Sequence, residues 1–145
     1  MSMKLLVGLD GHHSGERALA HAKTLANAVG SCELLVVYVI EWSPYSFQTA
    51  EENAERHKRR EEEIGTATDR VVAPAVAALK EAGINASGIV RHGDVADTLN
   101  KIAANENADQ IIVGRSSDGS VADRIFGSTI VNLVMSAKVP VTVLS

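Results

Sequence analysis

Ile111-Ile112-Val113-Gly114-Arg115-Ser116-Ser117-Asp118-Gly119-Ser120-Val121-Ala122-Asp123-Arg124-Ile125-Phe126-Gly127-Ser128-Thr129 is the stretch that decides the fold. It opens on a short, β-branched, wholly apolar run, which reads as a strand buried on both faces. The run stops at Gly114 and gives way to a loop rich in small and hydroxyl-bearing residues. Gly127-Ser128-Thr129 then leads into the apolar-periodic segment Ile130 to Ala137, which reads as a helix. Parallel α/β folds build phosphate sites in this way, from a strand, a small-residue loop and a helix start. Backbone N–H groups in the loop and at the helix N-terminus point at the anion, and the helix dipole favours its charge.

The rest of the chain supplies the partners such a strand needs. Lys4 to Asp10 reads as a buried strand, and a helix from about Glu16 to Val29 carries Ala18, Leu19, Ala22, Leu25, Ala26 and Val29 at helical spacing. Ser14 is its expected N-cap and Gly30 its stop. Glu33 to Glu41 holds a second strand, Leu34 to Ile40, so the strand–helix–strand pattern predicts a parallel pair with a right-handed crossover. After the aromatic-rich loop Trp42 to Phe47, Glu51 to Ile64 is densely charged with both signs, so its first turns are expected to be solvated and the least ordered part of the chain. Thr66 to Ala82 is more amphipathic, and Pro74 inside it predicts a kink or a restart. Ala86 to Arg91 has the alternation of an edge strand. Val95 to about Glu106 reads as a helix, Gln110 to Val113 as the fourth strand, Gly127 to Ser136 as the last helix, and Val139 to Leu144 as the fifth strand.

Five strands alternating with helical segments predict a doubly wound α/β architecture in one domain spanning residues 1–145. A ligand then belongs at the carboxyl ends of the strands, where strand order reverses. The composition excludes several other classes. With 14 basic and 18 acidic residues the formal net charge is -4, and there is no sustained basic patch, which argues against nucleic acid as a partner. No apolar run approaches the ~20 residues that span a bilayer, so no membrane partner is expected. The N-terminus runs straight into a strand without the layout of a signal peptide. A lone cysteine, Cys32, cannot form an internal disulfide, and a cytoplasmic setting is expected.

Gly114, two residues, Ser117, nine residues, then Gly127-Ser128 resembles the ATP-binding motif of the universal stress protein family. The spacing matches that motif, but its second glycine is Ser117 here. Val7-Gly8-Leu9-Asp10-Gly11 and Gly93-Asp94-Val95-Ala96-Asp97 extend the resemblance over most of the chain. The resemblance implies a Rossmann-like sheet of order 3-2-1-4-5 with helices on both faces, of the adenine nucleotide alpha hydrolase-like type. It also implies ATP as ligand, with or without Mg, and a homodimer paired through the last strand, Val139 to Leu144. At most slow hydrolysis or autophosphorylation would accompany binding, in a regulatory module of the stress response.

Individual residues carry paired readings. By resemblance Asp10 contacts the adenosine part of ATP; alternatively it orders its own loop or caps the first helix. Val39 matches the position whose backbone lies against adenine, and is also an ordinary core valine. Gly114, Ser117, Gly127, Ser128 and Thr129 form the phosphate cradle or a loop and cap that bind nothing, with Arg115 and Arg124 flanking it toward phosphate or solvent. His12 and His13 are adjacent with no third ligand at sensible spacing, which disfavours zinc. His92-Gly93-Asp94 suits a turn. Nothing in the chain pairs a nucleophile with a base and an orienting group. A second function class therefore stays open: the same fold acting without nucleotide, as a dimerisation or interaction module. A phosphoacceptor receiver domain is disfavoured, since Gly11 stands where a second acid is needed and Lys138 precedes the last strand rather than ending it.

Overall fold

In the computed structural model, residues 2–10, 13–41, 50–115 and 121–145 are described, with backbone only for 13–14, 50–53 and 121–127. Five parallel strands, β1 (Met3–Leu9), β2 (Cys32–Glu41), β3 (Asn85–Gly93), β4 (Gln110–Gly114) and β5 (Val141–Leu144), form one sheet in the order β3-β2-β1-β4-β5. The helices are α1 (His13–Val29), α2 (Ala50–Ala67), α3 (Ala73–Glu81), α4 (Val95–Asn105) and α5 (Val121–Ser136). Strand order reverses between β1 and β4, where Gly8 stands opposite Val113 on one side and Val37 on the other.

Both faces of the central strands are sealed. Leu5, Val7, Leu34, Val36 and Ile112 pack with Ala18, Ala22 and Ala26 of α1 and with Val72 and Leu79 beyond α2. Leu6, Leu35, Val37, Ile111 and Val113 pack on the opposite face with Leu99, Ile102 and Ala103 of α4 and Leu133 of α5. Consecutive residues thus point to alternate cores, which explains the unbroken apolar runs. At the amino ends of the strands, the Asp109 carboxylate accepts the Lys4 N–H at 2.8 Å, while Asp109 N–H donates to the Lys4 carbonyl at 2.7 Å. The Lys4 ammonium lies 3.6 Å from Glu106 and 3.9 Å from Glu33.

Pro74 does not interrupt the helix: a single π-helical turn, Thr68–Val72, carries α2 directly into α3, with Ala73 N–H donating to the Thr68 carbonyl and Pro74 in the first turn of α3. Gly30 stops α1 at φ 82°, with its N–H on the Ala26 carbonyl at 3.0 Å. Asp94 caps α4, its carboxylate accepting Asp97 N–H at 3.0 Å. In the charged helix α2, Ala54, Glu55, His57, Lys58 and Arg59 are exposed, and His57 meets Glu61 at 3.1 Å.

Three boundaries differ from the sequence reading. Helix α1 begins at His13, so Ser14 lies inside its first turn rather than at the cap. Strand β5 begins at Val141, because Pro140 has no N–H to add to a ladder. Helix α5 begins at Val121, six residues before Gly127. Val121 to Phe126 contains no glycine or proline, and Phe126, Ile130 and Leu133 continue one helical spacing. A glycine followed by two hydroxyl residues looked like a helix start but lies in the interior.

β3 packs tightly against the π turn. A Cβ on Gly88 would sit well inside contact distance of Val72 Cγ1, and Val72 is buried. Gly88→Ala is expected to destabilise by about 1–3 kcal/mol through overpacking, read as a lower urea midpoint with unchanged slope. Adding Val72→Ala should recover part of the loss.

Candidate functional site

The carboxyl ends of β1, β2 and β4, with α4 and α5 above them, enclose a cavity of about 270 Å³. Gly8, Leu9 and Asp10 enter it from β1, Tyr38 to Glu41 from β2, and Val113 and Gly114 from β4. Val95 and Leu99 of α4 and Thr129, Ile130 and Leu133 of α5 complete the lining. The cavity therefore occupies the crevice beside the reversal of strand order, where doubly wound sheets take ligands. Its wall is mainly apolar, with Asp10, Glu41 and Thr129 among its polar residues, while the Tyr38 side chain packs in the core on the other face of the sheet.

Asp10 orders its own loop, as one of its two readings has it, and also borders the cavity. Gly15 N–H donates to its Oδ1 at 3.1 Å, so the carboxylate orders the start of α1. A Cβ at residue 15 would lie 3.0 Å from that oxygen, so glycine admits the approach. Val39 is buried in β2 and lines the cavity. Gly8 keeps the floor low: a Cβ there would lie 3.1 Å from Val113 Cγ1 and 3.3 Å from Leu99 Cδ1.

The cradle residues divide. Gly114 and Thr129 line the cavity. Arg115 is exposed just beyond β4, with its N–H on the Leu144 carbonyl at 2.6 Å. Ser128 is exposed on α5 and is not part of the wall. Gly127 belongs to the helical backbone of α5, as does Arg124, whereas Ser117 lies outside the described residues. With α5 starting at Val121, the amides free at its N-terminus belong to the residues from Val121 onward, not to Gly127–Thr129. Sequence reasoning missed Tyr38, Ile40, Glu41, Leu99 and Leu133. The signal for the β2 residues was available, since they end a strand beside the switch point; Leu99 and Leu133 looked like core and are both core and wall.

Other candidates settle elsewhere. His12 lies outside the described residues. His92 Nε2 meets Glu63 Oε2 at 2.9 Å, tying α2 to the end of β3. Among the described residues no group of three His, Cys, Asp or Glu side chains could hold a metal ion. No described helix is long and apolar enough to cross a membrane.

The geometry defines a doubly wound α/β protein with a ligand-sized crevice at its switch point. The chain belongs to the universal stress protein family, whose pattern matches residues 1–145. Comparison with curated proteins finds no match. Solved structures share the fold. Universal stress protein UspA from Lactobacillus plantarum is 21% identical with a TM-score of 0.78, covering 99% of this chain and 97% of its own. A universal stress protein in complex with cAMP is 22% identical with a TM-score of 0.65, covering 99% and 96%. One from Archaeoglobus fulgidus in complex with dAMP is 19% identical with a TM-score of 0.63, covering 99% and 98%.

Cys32 opens β2 at the opposite end of the sheet from the cavity. Burial, then the charges of Asp109 and Glu33, pushes its thiol above the usual range. The thiolate is the nucleophile, so iodoacetamide at pH 8 should modify Cys32 several-fold more slowly than free cysteine, as followed by mass.

Proposed function

We propose that the crevice binds an adenine nucleotide, ATP with or without Mg, and that the protein acts as a nucleotide-responsive regulatory module of the stress response in the cytoplasm. The observation that carries this reading is the cavity at the switch point, lined by Asp10, Val39, Gly114 and Thr129 together. Its volume, about 270 Å³, suits a nucleoside held between the apolar β2 end and the Asp10 carboxylate. The phosphates would lead out past Gly114 toward the start of α5. Two relatives solved with cAMP and dAMP support an adenine nucleotide as the ligand class. The described wall pairs no nucleophile with a base, so binding rather than turnover is the proposed activity.

Ser117 sets the expected strength. A left-handed backbone there would cost a non-glycine residue ~1–2 kcal/mol, and 1.4 kcal/mol is about tenfold in affinity. Its hydroxyl offers partial compensation through a bond to phosphate oxygen. Ser117→Gly should therefore tighten ATP binding, and Asp10→Asn should weaken it. A ligand at ~100 times its dissociation constant stabilises by about 2.7 kcal/mol, or roughly 5–10 °C in melting temperature for a domain of this size. Thermal melting with millimolar Mg-ATP, with AMP and GTP as controls, checks this in the parent and in Ser117→Gly. No shift in either protein would sink the nucleotide reading.

The second reading is an interaction module built on a homodimer through Val139 to Leu144. It is favoured by the exposed Val143 of β5 and by Val131, Val134 and Met135 on α5, Met135 at 81% exposure. Sedimentation at micromolar concentration should give a dimer, and Val141→Glu with Val143→Glu should give monomers or insoluble protein. A parent that sediments as a monomer counts against pairing.

A further inference from the structure

We propose that a second cavity, on the face of the sheet opposite the crevice, binds a small molecule that joins a flat apolar ring to a single carboxylate. The proposal is independent of the nucleotide reading. The cavity measures about 480 Å³ and lies between the carboxyl half of β2, the last turns of α2 and the π turn. Tyr38, Ile40 and Val71 give it an apolar floor. Tyr38 and Ile40 pack on the α1 side of the sheet, whereas Val39 between them faces the other core. β2 therefore separates this cavity from the crevice. Small-molecule sites run to roughly 300–1,000 Å³, mainly apolar with a few convergent polar groups. The second cavity has that size and that make-up.

The charges on its rim select the ligand. Arg59, Arg70, Glu62 and Glu63 all border the cavity. Glu63 is committed, since its Oε2 meets His92 Nε2 at 2.9 Å. That leaves two guanidinium groups against the Glu62 carboxylate. Among the described residues neither Arg59 nor Arg70 makes an ion pair or a side-chain hydrogen bond. The excess of one positive charge suits a monoanion, while Glu62 opposes a polyphosphate. A guanidinium grips a carboxylate through two parallel bonds and stacks on flat rings. The Tyr38 ring offers a further aromatic contact. A second observation marks the same place. Arg70 and Val71 sit in the π turn Thr68–Val72, and single π turns within helices recur at functional sites. The same two residues also line a smaller cavity of about 240 Å³ against Leu9 and Leu19. Arg70 therefore stands where the two cavities meet.

The test titrates naphthoate, and its neutral counterpart naphthamide, into the isotope-labelled protein and follows backbone amides by NMR. Naphthoate should shift the amides of Thr66, Arg70 and Val71 saturably and leave those of Leu99 and Ile130, in the crevice, unmoved. Naphthamide should bind about tenfold more weakly, as the loss of one charge-assisted contact implies. Arg59→Gln with Arg70→Gln should weaken naphthoate about tenfold, to the level of naphthamide, and leave naphthamide within about twofold. Both arginines are exposed, so the double variant should keep the parent's melting temperature. The comparison of acid with amide on the parent decides the proposal even without the variant. Equal binding of the two, shifts centred on Leu99 and Ile130, no saturable shift at all, or an unchanged double variant would each overturn it.

Discussion

The constraint on which the rest depends is that β1 and β4 are sealed on both faces. Leu5, Leu6, Val7, Ile111 and Ile112 are each 0% exposed, and neighbours in that list point to opposite sides. Such strands are stable only if helices cover both faces, which fixes the connections. α1 and the α2–α3 segment cover one side, and α4 with α5 the other. Because consecutive crossovers leave β1 toward β2 and return to β4, their loops part at the carboxyl ends. The crevice is a consequence of that parting. Asp10, Gly114 and Thr129 meet there although they come from distant parts of the chain.

The same constraint explains how much the sequence disclosed. Unbroken apolar runs mark all the central strands, so their order of appearance and their parallel arrangement were legible, with the strand order coming from the family resemblance. Helix ends were less so. Gly127-Ser128-Thr129 has the composition of a cap, yet Ile130 and Leu133 share one stripe, and burial of Leu133 at 1% exposure outweighs the glycine's cost in the interior. Half of the proposed site was readable because Asp10 and Gly114 end strands. Leu99 and Leu133 were not, because a residue that packs a core and floors a cavity has the sequence signature of core alone. The hydrogen bond from Arg17 to the Arg115 carbonyl was hidden for another reason: its two ends lie 98 residues apart, which leaves no pattern in either segment.

The two sheet edges are not equivalent, and this bears on assembly. β3 is an edge with exposed Arg91, Ser87 and Gly88, and the Glu63–His92 tie lays α2 against its end. Charge and cover of that kind discourage strand addition. β5 is shorter and has Val143 exposed at 38%, and α5 separately exposes Val131, Val134 and Met135. Apolar side chains at i, i+3 and i+4 on a face turned from the core stabilise nothing within one chain. Pairing of β5 with a second copy about a two-fold axis would complete its ladder. The Leu144 carbonyl already holds Arg115 at the exit of β4.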